Sequence, residues 1–278
     1  PGTHTQTDMD STSSKSRTRS RETRTLERTV AFLDKRDGID KVLKIIRYSC
    51  KLATSILSPS DGLQHSLGLL EQSLGTSRKA YRAGKFLKNV SALTRQNPYR
   101  LVPSISSYVL DVCVNVGEGV YYFIDQFQFL VRIGVLSGQF GKQCTKVSAV
   151  AELLGYGANT VLNVLRLHNL LEREIALIAE LKRRKKKCDQ TGQEFDHTDD
   201  INKALLLEIA QLRKRRMLRT LCLVQDAADA LLAIYDLRDA YGRGGDHPGK
   251  TKMRKITLAA AGLLSGCIGA LKRWPKAH

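Results

Sequence analysis

From about Leu26 onward the alternation of apolar and polar positions has the period of an α-helix. Ile39, Val42, Ile46, Ser49, Ala53 and Ile56 recur at spacings of three and four, which places them on one helix face. Asp37 is positioned to cap the start of that helix, with Gly38 tolerated at its first position. The segment "SPSDG", residues 58–62, predicts a turn. A second helical pattern follows from about Leu63 to Gln96 and stops where Pro98 disfavours helix for Asn97. On a wheel of this second helix Ala80, Ala83, Gly84, Phe86, Leu87, Val90 and Leu93 fill one half. Arg78, Arg82, Lys85, Lys88 and Arg95 fill most of the other, with Lys79 out of place.

Past Pro98 the pattern turns apolar. Leu101–Ile124 carries only Asp111 and Glu118 as charges, and five aromatic residues fall within Tyr121–Phe129. Val147–Leu165 has a single charge, Glu152, and small residues at Gly155, Gly157 and Ala158; Thr220–Tyr235 is apolar apart from Gln225, Asp226 and Asp229. These stretches are too interrupted for lipid spans of about 20 apolar residues, and they suit helices that pack on one another or sit shallowly in a bilayer. Their acids are expected to face a bundle interior or water. The last segment, Ile256–Leu271, has no charge and lies between "KMRK" and "KRW". It covers about 24 Å, short of a hydrocarbon core of about 30 Å, so Lys255 and Lys272 would snorkel and Trp274 would sit at headgroup level. A buried core helix reads the same way. Gly262 and Gly266 form a GxxxG that permits close helix contact.

Composition then narrows the class. Helix-forming residues dominate, aromatics are 6%, and the formal net charge is +18. An all-α chain with an anionic partner follows, either nucleic acid or an acidic membrane surface. The six cysteines lie more than thirty residues apart with no CxxC, so no zinc site, redox pair or disulfide framework is signalled. The six histidines are not at metal-ligand spacing, and no phosphate loop, GxSxG or HExxH occurs. Gly117 and Gly119 bracket Glu118 without the surroundings of a dinucleotide fingerprint. The expectation is a protein without cofactor, metal or catalytic constellation. Residues 1–25, rich in Ser, Thr and Arg, read as a disordered tail; their acids argue against an organelle transit peptide.

Charge patterning points to the membrane. The stretch "TSRKAYRAGKFLKNV", residues 76–90, contains five basic residues and no acid. A surface helix packed on its own protein can show the same wheel, but it gains solubility by mixing signs, and this one does not. An apolar face opposite an acid-free basic face suits a helix lying in a membrane interface. Arg82→Glu is then expected to weaken lipid binding in a salt-dependent way. The basic runs "LKRRKKK" and "LRKRR" flank the acidic turn "CDQTGQEFDHTDD" and adjoin apolar segments, where they suit anionic headgroups as well as nucleic acid.

Together these segments resemble a known family. "FLDKRDGIDKVLKIIRYSCKLA", then "LGTSRKAYRAGKFLKNVSAL", then "GEGVYYFIDQFQFLVRIG" and a terminal "RWP" are similar, in that order, to the peroxin-11 family of peroxisomal membrane elongation factors. The plant and algal type with "KRDGIDK" is the nearest form. The resemblance implies a helical membrane domain over residues 26–278: amphipathic helices (26–97), apolar helices (98–172), a charged hairpin (173–216) and C-terminal helices (217–278) with the hydrophobic segment 256–271. It implies location at the peroxisomal membrane and insertion of an amphipathic helix that tubulates the organelle before fission. That helix maps onto Arg78, Lys79, Arg82, Lys85, Phe86, Leu87, Lys88, Val90 and Leu93. Implied partners are an anionic phospholipid membrane, further copies of the chain, and the division machinery with its dynamin-like GTPase and adaptor. Two other classes stay open. One is a metabolite channel with Asp111, Glu118, Asp125, Glu152, Asp226 and Asp229 along a wet path. The other is a nucleic-acid binder using residues 182–187 and 213–216, which the apolar C-terminal segment fits poorly.

Overall fold

The computed structural model describes residues 25, 27–57, 62–95, 105–191, 199–241 and 248–274. The tail, apart from residue 25, the expected turn at 58–61 and the stop at Pro98 lie outside the described residues. Past the helical stretch at 27–33, seven helices among the described residues carry the architecture: α1 (Arg36–Ile56), α2 (Gly62–Tyr81), α3 (Phe86–Arg95), α4 (Ile105–Arg132), α5 (Gly138–Thr191), α6 (Asp200–Ala240) and α7 (Pro248–Arg273). No strand occurs among the described residues, so the chain is all-α as the periodicity predicts.

The packing closes on itself. Helix α1 packs on α2, α2 on α4, α4 on α5, α5 on α6, α6 on α7, and α7 returns to α1; α3 lies against α4. Six helices therefore ring a central space. Helices α5 and α6 have 54 and 41 residues, and at about 1.5 Å per residue α5 is about 80 Å long. Their charged ends pair as a hairpin, with Arg173 on Glu208 at 2.7 Å and Arg213 on Glu174 at 2.9 Å.

Glycines set two close crossings. A Cβ on Gly117 of α4 would stand 2.7 Å from the Ala151 carbonyl oxygen and 2.8 Å from the Gly155 nitrogen of α5. Gly117 and Gly155 are thus where two apolar helices touch backbone to backbone. On α7, a Cβ at Gly262 would meet the Tyr48 ring at 2.3 Å, and one at Gly266 would meet Ile45 Cγ1 at 3.0 Å. Both glycines face α1.

Two local expectations change. The helix expected through Leu63–Gln96 is broken by a turn at 82–85, where Gly84 has φ +70°. Glycine adopts that conformation without steric cost, and the break is stabilised from outside the segment. Arg36 Nη2 donates to the carbonyls of Tyr81 and Ala83 at 2.9 and 2.6 Å, and Gln126 Nε2 to that of Arg82 at 3.3 Å. At the other site Asp37 does not cap α1. The cap position is Lys35, and Asp37 sits in the first turn, accepting from Lys85 at 2.7 Å.

The interior sets charged side chains beside its apolar core. The largest side chains buried to below 2% exposure are Asn163, Asp40, Asp125 and Ser265, all polar. The apolar stripe of α1 runs outward, with Ile46 and Ile56 exposed, while Asp40, Lys41 and Lys44 are buried. Large apolar residues are usually buried and charges exposed, so this arrangement needs a reason.

Candidate membrane interface and charged interior

The charged interior begins on α1, where Asp40, Lys41, Lys44 and Tyr48 recur at helical spacing and turn into the ring. Asp40 accepts from Arg78 Nε at 3.1 Å and from Arg82 Nε at 3.0 Å. Burial alone would push its carboxyl up; the Arg82 and Arg78 guanidiniums outweigh that and hold it far below the usual carboxylate range. Arg82 continues the chain of contacts to Tyr121 Oη at 2.7 Å and Asp125 Oδ2 at 3.3 Å. Asp125, fully buried, also takes Lys79, whose ammonium donates to Gln128 Oε1 at 2.6 Å. Across the ring, Lys44 Nζ donates to Asp229 Oδ1 and Ser265 Oγ, both at 2.7 Å. Asp226 accepts from Asn159 at 2.7 Å and Asn163 at 3.2 Å, and Arg219 donates to Asn163 Oδ1 at 3.0 Å. Charges removed from water need an ion pair or hydrogen bonds to persist, and each of these has one or the other.

Between these walls lies a cavity of about 680 Å³. Eleven Lys and Arg residues and six Asp and Glu residues line it, so its wall is polar and on balance cationic.

The nine residues expected at the lipid interface divide between interior and exterior. Arg78, Lys79 and Arg82 point inward to Asp40 and Asp125. Lys85 spans the turn to Asp37 and lies 4.7 Å over the Tyr122 ring. Phe86 stacks edge-on against Phe123 of α4 at 5.4 Å, which ties α3 to α4, and Leu93 is half-buried. Leu87 and Val90 are 59% and 48% exposed, and Lys88 is exposed beside them. The acid-free segment is thus a junction: its first cations serve the interior, and its last apolar residues face out.

The outward apolar surface extends well beyond that junction. Val109, Val116, Val120 and Phe123 are exposed on α4; Val147, Val150, Leu154, Val161 and Val164 are exposed on α5. The α4 and α5 residues meet along a groove lined by Val116, Val120, Val147, Val150 and Leu154 beside the Gly117 crossing. Lys142 lies before the apolar stretch of α5 and Arg166 after it, both exposed. Helix α7 is the one helix among the described residues long and apolar enough to cross a membrane, over residues 252–273. It is seated in the ring here, with Ala259 and Ser265 fully buried.

Sequence periodicity missed the interior. Its signal was present as the stripe Asp37, Asp40, Lys41, Lys44 on α1, at the same three-to-four spacing as the apolar stripe. Of the six acids considered for a wet path, Glu118, Glu152, Asp226 and Asp229 line the cavity. Asp125 is sealed behind Lys79 and Arg82, and Asp111 lies 3.7 Å from Arg166. The basic residues of runs 182–187 and 213–216 are largely exposed on the hairpin.

A helical ring with ion pairs inside and large apolar side chains outside is the surface plan of a membrane protein, because only lipid or a partner solvates such an exterior. Comparison with known proteins agrees. The model of the family described as peroxisomal biogenesis factor 11 (PEX11) matches residues 26–274. Peroxisomal membrane protein 11A of Arabidopsis thaliana is 31% identical over 90% of this chain and 92% of that protein. Peroxisomal membrane protein 11-3 of Oryza sativa subsp. japonica is 35% identical over 88% and 86%. A peroxisomal membrane protein 11 homolog of Dictyostelium discoideum is 24% identical over 90% and 95%. No solved structure matches. The chain belongs to the peroxisomal biogenesis factor 11 family, whose members are peroxisomal membrane proteins.

Proposed function

We propose that this chain elongates and tubulates the peroxisomal membrane, promoting fission and proliferation of the organelle, by laying the outer face of α3, α4 and α5 into one leaflet. The observation that carries this reading is the run of exposed large apolar side chains from Leu87 and Val90 through Val116, Val120 and Phe123 to Val147, Val150 and Leu154. Each such side chain fully removed from water contributes roughly 1.5–3 kcal/mol. Exposed Lys88, Lys142, Arg166 and the basic hairpin add roughly 1 kcal/mol each at best near anionic headgroups. A wedge in one leaflet expands it relative to the other and bends the bilayer. Copies gathered by further helix contacts extend the bend, and the division machinery, with its dynamin-like GTPase and adaptor, acts on the resulting tubule.

The test adds purified full-length chain to anionic liposomes and images them by electron microscopy. Tubules are expected. Liposomes that bind the chain yet stay spherical contradict the reading.

The cavity favours a second reading, passage of small solutes through the ring, with Glu118, Glu152, Asp226 and Asp229 on the path. Conductance in planar bilayers that changes on Glu152→Gln supports it, and electrically silent bilayers remove it.

A further inference from the structure

Several cations of the interior pair with an acid: Arg78 with Asp40, Lys79 with Asp125, and Lys44 with Asp229. Lys41 does not. It is 9% exposed and lines the cavity, yet it makes no hydrogen bond or ion pair among the described residues. Its sequence neighbour Asp40 is taken by Arg78 and Arg82. Of the charges that act on it, Lys44, Arg273 and Arg82 share its sign, and Asp40 opposes them without an ion pair to it. Burial pushes its ammonium well below the usual lysine range, and Lys44 adds to the effect.

The fold makes room for this arrangement. A Cβ on Gly269 of α7 would stand 2.9 Å from Lys41 Cε and 3.3 Å from its Nζ, so the lysine stem lies close against α7 at this glycine. Arg273 folds over the same residue, its Nη1 donating to the Gly269 carbonyl at 3.4 Å and its Nε lying 3.5 Å from Asp37. Lys44, one turn along α1 from Lys41, lines the same cavity. An ammonium set in the cavity wall without an ion pair lowers its charge or finds an anion.

We propose that the cavity binds a phosphorylated ligand whose phosphate is held by Lys41, with Lys44 and Arg273 completing the cationic wall. A phosphate dianion supplies the direct ion pair that Lys41 lacks, and it accepts hydrogen bonds from several ammonium and guanidinium donors at once. The volume of about 680 Å³ is that of a small-molecule site, so the phosphate is one end of a larger molecule. That phosphate belongs either to a soluble metabolite or to a lipid headgroup. Occupancy of the cavity is separate from lipid contact at the outer face, and the two are measured separately.

The test is thermal unfolding of the full chain in detergent, titrated with inorganic pyrophosphate at constant ionic strength. A saturable rise in Tm is expected. Lys41→Gln raises the half-saturating concentration at least tenfold, while its ligand-free Tm is equal to or above that of the parent. Lys41→Met, which keeps the stem's volume, behaves the same way. The hairpin variant Lys185→Gln/Lys186→Gln keeps the full response. No saturable rise in the parent, an undiminished rise in Lys41→Gln, or a loss in the hairpin variant overturns the proposal. So does unfolding of both Lys41 variants, because Lys41 would then serve the fold and not a ligand. Vesicles containing a phosphatidylinositol phosphate distinguish the sources: if they block pyrophosphate the site takes a headgroup, and if pyrophosphate still binds to vesicle-bound chain the site takes a soluble phosphate.

Discussion

The inner wall and the outer face of the ring use opposite chemistry. Inside, Asp40, Arg78, Arg82, Asp125, Lys44 and Asp229 hold the helices together through directional contacts of 2.7–3.3 Å. Outside, Leu87, Val90, Val120, Val150 and Leu154 make no such directional contacts and stand exposed. In water the outer face would be a liability. In lipid it is ordinary, and the inner wall becomes the specific part, because a buried ion pair tolerates only its own counter-charge. The difference divides one segment: Arg78, Lys79 and Arg82 serve the fold, while Leu87 and Val90 stand exposed a few residues on.

Arg82→Glu should break the inner wall most severely. It sets a third carboxylate against Asp40 and Asp125, so it should cost at least about 3–5 kcal/mol and abolish cooperative unfolding in detergent. This replaces the salt-dependent loss of binding that the sequence alone suggests; a well-folded Arg82→Glu protein with weakened, salt-sensitive binding would return Arg82 to the surface. Next, Leu87→Asp together with Val90→Asp strikes the outer face. Vesicle affinity should fall about a hundredfold or more while the unfolding midpoint shifts little, because both sites are exposed. Co-sedimentation with anionic liposomes, alongside thermal unfolding, reads both effects. Gly262→Ala then sharpens the boundary between α7 and α1. Its methyl would overlap the buried Tyr48 ring, which should cost about 1–3 kcal/mol and loosen α7 from the ring, visible as faster proteolysis near residue 241. The smallest effect is expected at Lys85→Ala, whose pair with Asp37 is partly exposed and should be worth at most about 1 kcal/mol in the same unfolding assay.

Helical class and the apolar stretches were legible because helix periodicity is local. The direction each stripe faces was not. On α1 the apolar and charged stripes share one spacing, and only the burial of Asp40 and Lys44 shows that the charged one turns inward. The acid-free segment misled for the same reason. Its counter-ions are Asp37 and Asp40 on α1 and Asp125 on α4, about 40 residues away on either side and invisible to a wheel of one helix. The break at Gly84 also escaped, since a glycine within a helical pattern is tolerated as often as not and the groups that stabilise the turn come from α1 and α4. Gly262 and Gly266 were legible as a close-packing pair, but their partner, α1, was not.

If lipid meets the outer face, it should leave the inner wall untouched. Single cysteines in a background without the native six would carry an environment-sensitive fluorophore, at Val90, Val120 and Val150 on the outside and at Leu232 and Ser148 on the cavity wall. The full chain is then bound to vesicles containing brominated lipids. Strong quenching is expected at 90, 120 and 150 and none at 148 and 232. Outer labels that stay unquenched on vesicle-bound protein, or cavity labels quenched as strongly, would contradict it.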